Sequence, residues 1–124
     1  MVRKLVDSYE LIDGQQRLTT LFLIYKYMHS ASFGFIDEPK FTLRYETRAK
    51  SEEFLRAIDL AQKEENIDYW FICNAYQTIE HWFESKEKKS VLTNINKYFD
   101  ENVKIIWYEV GESEDAIALF ARLN

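Results

Sequence analysis

The stretch Ile12-Asp13-Gly14-Gln15-Gln16-Arg17-Leu18-Thr19-Thr20 decides how the chain folds near its start. It follows Tyr9 to Ile12, a short run that predicts a strand ending in the Asp13-Gly14 turn. From Gln15 onward, apolar residues recur every three or four positions, which predicts a helix that ends near Ser30. The polar stretch therefore lies where a strand turns into the start of a helix.

The start of this helix has the chemistry of an anion site. Its first N–H groups lack partners within the helix, and the helix dipole makes this end positive. Gly14 allows a ligand close to the backbone, and Arg17 offers a guanidinium that can bind two phosphate oxygens. Thr19 and Thr20 add hydroxyls, while Asp13 offers a carboxylate for a ribose hydroxyl, Mg2+ or water. A structural interpretation stays open, in which Asp13 caps the helix, Gly14 makes the turn and Arg17 pairs with an exposed acid.

Composition restricts the class of protein. With 124 residues, 47% of them hydrophobic and 16% aromatic, the chain predicts one globular domain that needs no disulfides. The net charge of −5 excludes an overall basic surface of the kind that grips nucleic acid, although a local basic patch stays possible. Cys73 is the single cysteine, and the chain has only two histidines. We therefore expect no metal site with His and Cys ligands.

The sequence has neither an apolar signal segment nor a run long enough to cross a membrane. We therefore expect no membrane partner and a reducing, cytoplasmic location.

Beyond the first helix, the patterns predict two more strands and four more helices. Phe41 to Glu46 alternates apolar and polar residues, which is typical of a half-buried strand. Val103 to Val110 is β-branched and apolar, which favours a central strand. Gly111 ends that strand, and Ser113 begins a last helix. The expected fold class is α+β, with about three strands and about five helices.

The middle helices are predicted from their spacing and caps. Ser51 is the expected N-cap of the second helix, which buries an apolar face made of Phe54, Leu55, Ile58 and Ala61. The third helix runs from Ile67 to Phe83, and a fourth runs from Val91 to Phe99. For the third helix we expect a buried side composed of Trp70, Phe71, Ala75, Ile79, Trp82 and Phe83. Its surplus of aromatic residues has a second interpretation, as a surface for a partner or for missing segments.

The start of the chain resembles the signature of a large bacterial domain family. The resemblance is carried by the short strand, the turn and the run Asp-Gly-Gln-Gln-Arg-Leu-Thr-Thr. The family's best-described member is the N-terminal domain of the GmrSD-type modification-dependent restriction endonucleases, whose core resembles the ParB/sulfiredoxin fold. Further blocks match in the same order: Tyr45-Glu46-Thr47-Arg48, Ser51, Phe54-Leu55, Asp68 to Phe83, Val103 to Val110 and Phe120-Ala121-Arg122-Leu123-Asn124. The resemblance thus spans nearly the whole chain.

This resemblance implies nucleotide-dependent action on DNA. In the ParB/sulfiredoxin superfamily, a Gly-x-x-Arg turn at a helix start binds nucleotide phosphates, and it corresponds here to Gly14 and Arg17. Asp13, Gln15 and Gln16 lie beside it. The implied cofactor is a nucleoside triphosphate with Mg2+, and the implied partners are DNA and a separate nuclease domain or subunit.

Arg48 follows the predicted strand and is a further candidate for the phosphate site. The alternative is a surface arginine that pairs with Glu46 or Glu52.

Two blocks that flank the family pattern are absent: an upstream Pro-x-Tyr-Gln-Arg-like strand and a downstream segment rich in Gly, Pro and Leu. We therefore expect a single truncated domain over residues 1–124, inactive in isolation, with cut sheet edges that favour self-association. Asp13 and Arg17 are the expected catalytic residues of the parent enzyme. Two alternatives remain at this point: a non-catalytic module that binds DNA or protein, and a structural domain whose Asp-Gly turn only caps a helix.

Overall fold

The computed structural model describes residues 2–11, 15–44, 49–104 and 109–110, in which two short strands precede four α-helices and a third short strand follows them. The strands are β1 (Val2–Lys4), β2 (Tyr9–Leu11) and β3 (Glu109–Val110). The α-helices are α1 (Gln15–Ala31), α2 (Ala49–Arg56), α3 (Ile67–Glu84) and α4 (Lys88–Glu101), with a 3-10 turn at Leu60–Gln62. The α+β class is confirmed. The helix expected from Ser113 lies outside the described residues, as do positions 105–108 of the last predicted strand.

The three strands form one sheet in the order β2-β1-β3. Strand β1 pairs antiparallel with β2, with Val2 opposite Leu11, and parallel with β3, with Val2 opposite Glu109. The sequence patterns did not predict β1, which pairs with the expected strand at Tyr9. Three residues, two of them charged, give no alternation pattern, so only pairing across the sheet marks β1 as a strand. Within the described sheet, β1 also takes the central place that we expected for the 103–110 strand.

The strand predicted at Phe41 to Glu46 is also wrong for the part that the structure describes. Residues 41–44 have no strand partner, and residues 45 and 46 lie outside the described ranges. Their alternation has another cause, because Phe41 and Leu43 pack from a loop against the helices. The Phe41 ring meets Phe22 of α1 edge-on, with 5.8 Å between ring centroids.

The core consists of two neighbouring clusters that share residues of α3. The first cluster joins α1, α2 and α3, and its buried residues are Phe22, Leu23, Phe54, Leu55, Tyr69, Ile72 and Cys73. The second joins α1, α3 and α4, and its buried residues are Tyr27, Met28, Ile36, Phe83 and Leu92. Tyr76 and Ile79 of α3 pack against both clusters. Helices α1 and α3 thus both run through the two halves of the core, and α3 provides the residues that pack against both.

Helix α2 begins earlier than its sequence predicts. Ala49 is its first residue, so Ser51 lies within the helix and is not its N-cap. The Ser51 hydroxyl instead donates to Oδ2 of Asp68 on α3, at 2.8 Å. Phe54 and Leu55 are buried as expected, but the helix ends at Arg56, so Ile58 and Ala61 lie beyond it.

The predicted buried face of α3 is confirmed at Ala75, Ile79 and Phe83 and is wrong at the three larger rings. Trp70, Phe71 and Trp82 are exposed, whereas the side chains that face the core follow the spacing Tyr69, Ile72, Cys73, Tyr76, Ile79 and Phe83. The prediction placed the largest aromatic rings inside because they bury the most apolar area. Helix α4, in contrast, presents Leu92, Ile95 and Phe99 to the second cluster as expected.

Candidate functional site

The first turns of α1 carry the predicted site residues that the structure describes. Helix α1 begins at Gln15, as the sequence predicts, and its first turn contains no acidic residue to oppose the positive end of the dipole. The Gln15 side chain donates through Nε2 to the carbonyl oxygen of Leu11, at 3.4 Å, which ties the helix start to the end of β2. Asp13, Gly14 and Arg48 lie outside the described residues.

A shallow, open depression of about 370 Å3 lies along the flank of α1. Its polar end is formed by Gln16, Arg17 and Thr20, and its apolar end by Leu21 and Ile24. These positions share a face because successive residues of an α-helix turn by about 100°. The depression therefore offers polar and cationic groups near the helix start and apolar contact farther along.

The structure separates the remaining candidates from this depression. Gln15 and Thr19 do not line it, because they lie on the opposite flank of the helix. Thr20 lines it, and its hydroxyl donates to the Gln16 carbonyl oxygen at 2.9 Å. In this arrangement the Thr20 oxygen can still accept a hydrogen bond from a ligand hydroxyl, amine or water.

Leu21 and Ile24 are the site residues that the sequence patterns missed. Their spacing from Arg17, four and seven positions along the helix, was the available signal. Helical spacing alone places both on the apolar side of the helix, but the buried face contains Phe22, Leu23, Tyr27 and Met28. Leu21 and Ile24 are half-buried at its edge.

The groups with perturbed acidity lie outside the depression. Burial raises the pKa of Tyr25, with a smaller contribution from Asp100, and burial lowers the pKa of Lys26, whose ammonium donates to the Arg56 carbonyl oxygen. On α3, burial raises the pKa values of Cys73 and Tyr76. These shifts follow from packing in the core, so they give no sign of catalytic tuning at α1.

His29 has a structural role at the other end of α1. Its Nδ1 lies 2.8 Å from the carbonyl oxygen of Ile36, and its Nε2 lies 3.7 Å from Oε1 of Glu38. Both contacts fix the loop that follows the helix. Among the described residues, no group of three or more His, Cys, Asp and Glu side chains is arranged to hold a metal ion.

The comparison with protein families covers almost the whole chain. The sequence model of the family described as "GmrSD restriction endonuclease, N-terminal domain" matches residues 2–124. The chain belongs to this family. No curated protein and no solved structure matches it. The GmrSD resemblance of the sequence is thereby confirmed, and the chain is placed among restriction proteins, which act in defence against phage. The expected likeness to the ParB/sulfiredoxin core stays a prediction.

None of the helices in the described ranges is long and apolar enough to cross a membrane. Membership of the GmrSD family indicates a role in restriction, and the depression on α1 is the candidate site.

Proposed function

We propose that this GmrSD-family domain binds a nucleoside triphosphate with Mg2+ at the Asp13–Arg17 turn, and that the parent restriction protein hydrolyses it. The observation that supports this most is the depression on α1, where Gln16, Arg17 and Thr20 lie together at a helix start without a first-turn acid. A nucleotide has matching chemistry, since it joins an anionic triphosphate to a flat base.

Each group in the turn has a role in this proposal. Gly14 and the first-turn N–H groups hold phosphate oxygens, and Arg17 neutralises their charge. Asp13 positions a water or Mg2+, which makes it the catalytic partner of Arg17. Gln16 and Thr20 contact the ligand from the flank, while Leu21 and Ile24 offer an apolar surface to the base.

Two of the predicted ligand residues have a less direct part. Gln15 and Thr19 act by positioning the helix start, because they lie on its opposite flank. Arg48 is proposed as a further phosphate ligand.

The test is calorimetric titration of ATP, GTP, CTP and UTP, each with Mg2+, into the 124-residue chain and its Arg17→Ala variant. We expect the variant to bind about 10- to 100-fold more weakly, because it loses charge-assisted hydrogen bonds worth about 1.5–3 kcal/mol. Lys97→Ala is the matched control, since it removes one positive charge from the exposed side of α4. Equal affinity of the wild type and Arg17→Ala would exclude this site.

A second candidate function is a module that binds DNA without nucleotide turnover. It is favoured by the exposed aromatic side chains Trp70, Phe71 and Trp82 on α3, far along the chain from the turn at Arg17. Under this function DNA binds in the absence of nucleotide, and Asp13→Ala and Arg17→Ala leave that affinity unchanged.

A further inference from the structure

The exposed side of α3 forms a continuous stripe whose composition differs from the rest of this acidic chain. Apart from Glu84, every exposed residue of the helix belongs to it, and we name this set the α3 stripe: Ile67, Trp70, Phe71, Asn74, Thr78, His81 and Trp82. None of its members is acidic. The acids of α3 lie on other sides of the helix. Asp68 accepts a hydrogen bond from Ser51, and Glu80 is half-buried. Glu84 projects about 100° away from the centre of the stripe.

A lysine lies against a tryptophan at each end of the α3 stripe. Lys63 Nζ is 5.6 Å from the centre of the Trp70 ring, and Lys86 Nζ is 5.5 Å from the centre of the Trp82 ring. These are cation–π distances. Each end of this surface therefore presents a lysine ammonium beside an aromatic ring.

We propose that the α3 stripe binds single-stranded nucleic acid, with bases stacked on Phe71 and Trp82 and phosphates neutralised by Lys63 and Lys86. Phe71 is 59% exposed and Trp82 is 47% exposed, so both rings present area that a base can cover. Aromatic stacking beside cationic side chains is the general means by which proteins bind unpaired strands without reading their sequence. Duplex DNA fits poorly, because its bases are already stacked on one another.

The length and polarity of the stripe agree with this ligand. Trp70 and Trp82 are twelve positions apart, which is about 18 Å along an α-helix and matches roughly five stacked nucleotides. Between them lie Asn74, Thr78 and His81, which interrupt the apolar surface with hydrogen-bonding groups. A protein partner would favour a continuous apolar centre, whereas bases and phosphates use alternating rings and polar groups.

The stripe is a different surface from the depression on α1, and its inference holds whether or not α1 binds nucleotide. The test uses fluorescence anisotropy of the 124-residue chain with a labelled oligothymidylate of about 15 nucleotides at about 50 mM salt. We expect Phe71→Ala and Trp82→Ala each to raise the dissociation constant by about fivefold or more. Tyr98→Ala is the matched control, since Tyr98 of α4 is also 59% exposed, and it is expected to leave the affinity unchanged.

A second variant measures the ionic part and does not depend on the aromatic variants folding. Lys86→Gln is expected to reduce the slope of log affinity against log salt by about 0.7, the value for one phosphate contact on a single strand. Lys97→Gln, an exposed lysine of α4, is the control for net charge. Circular dichroism melts of all variants verify that the fold is intact.

Three outcomes would overturn the proposal. They are no binding by the wild type, equal binding by Phe71→Ala and Tyr98→Ala, or a change in self-association on sedimentation with no change in oligonucleotide affinity. The last outcome would assign the stripe to a contact between copies of the chain. Titration of Arg17→Ala with nucleotide tests the depression on α1 separately, so failure at one surface is distinguishable from failure at the other.

Discussion

Cys73 shows at the level of a single residue how burial controls reactivity. Its side chain is fully enclosed on α3, and Sγ lies 3.9 Å from the carbonyl oxygen of Asp59. Burial raises the pKa of the thiol, the positive charge of Lys63 opposes this increase, and Asp59 adds to it. The thiol therefore stays protonated and unreactive at neutral pH, as expected for a core cysteine.

The Cys73→Ala variant tests the pH dependence of stability that this shift implies. Because the thiol pKa is higher in the folded state, the unfolded chain loses its proton first as the pH rises through about 9. The free energy of unfolding of the wild type is then expected to fall between pH 8 and about pH 10 by more than that of Cys73→Ala, which urea denaturation at each pH measures.

The other shifted groups, Tyr25, Lys26 and Tyr76, are present in both proteins, so the difference between the two isolates the thiol. An identical fall in both proteins would contradict the expectation.

Part of the candidate site was predictable residue by residue, and part was not. Composition and position identified Gln16, Arg17 and Thr20, which the structure brings together. A sequence motif groups neighbouring positions, however, whereas in a helix each successive side chain is rotated by about 100°. Gln15 and Thr19 were therefore grouped with neighbours from which the helix separates them.

At the level of elements, polar and aromatic pairs join α2 to the start of α3, in addition to the core cluster that both helices share. Ser51 donates to Asp68, and the rings of Phe54 and Tyr69 stack with 4.0 Å between centroids and 9° between planes. Asn66 caps α3 by accepting from the Tyr69 N–H at 2.9 Å. The first turn of α3 is thus held both to its own cap and to the neighbouring helix.

Ser51→Ala tests how much this polar link contributes. The hydroxyl is buried at 6% exposure, and its loss removes one hydrogen bond from the Asp68 carboxylate. We expect the free energy of unfolding to decrease by about 1–2 kcal/mol, as measured by urea denaturation. Thr93→Ala removes an exposed helix hydroxyl and is expected to change it by less than about 0.5 kcal/mol. Equal effects of the two substitutions would show that the Ser51–Asp68 bond adds nothing.

The helices were predictable from sequence because their signal is contained within each element. Helices α1 and α4 each repeat apolar residues at helical spacing, and both occur where that spacing predicts. Strand β1 is defined by its pairing with β2 and with the distant β3, so its three positions carry no signal of their own. The loop at Phe41 gave a false strand signal because a loop that packs two side chains on a core also alternates.

At the level of the whole molecule, the two core clusters are joined through α3. Since Tyr76 and Ile79 pack against both clusters, loss of packing in one cluster is expected to destabilise the other. We therefore expect a single cooperative unfolding transition in urea, with the same midpoint by tryptophan fluorescence and by circular dichroism.

Ile79→Ala is expected to move both midpoints together and to lower the free energy of unfolding by about 2 kcal/mol, because it removes packing from both clusters. Ile67→Ala is the control on the same helix, and its exposed side chain predicts a change within about 0.5 kcal/mol. Two separate transitions in Ile79→Ala would show that the clusters are independent.

The pairing of β1 with β3 has a consequence for how the protein is made. Val2 faces Glu109, so the middle strand of the sheet leaves the ribosome long before its parallel neighbour exists. At ribosomal rates the delay is roughly 5 to 20 s, whereas helices form in microseconds. The nascent chain therefore carries a β1–β2 hairpin whose β1 edge is still unpaired, and during this interval that edge is available to a chaperone or to a second nascent chain.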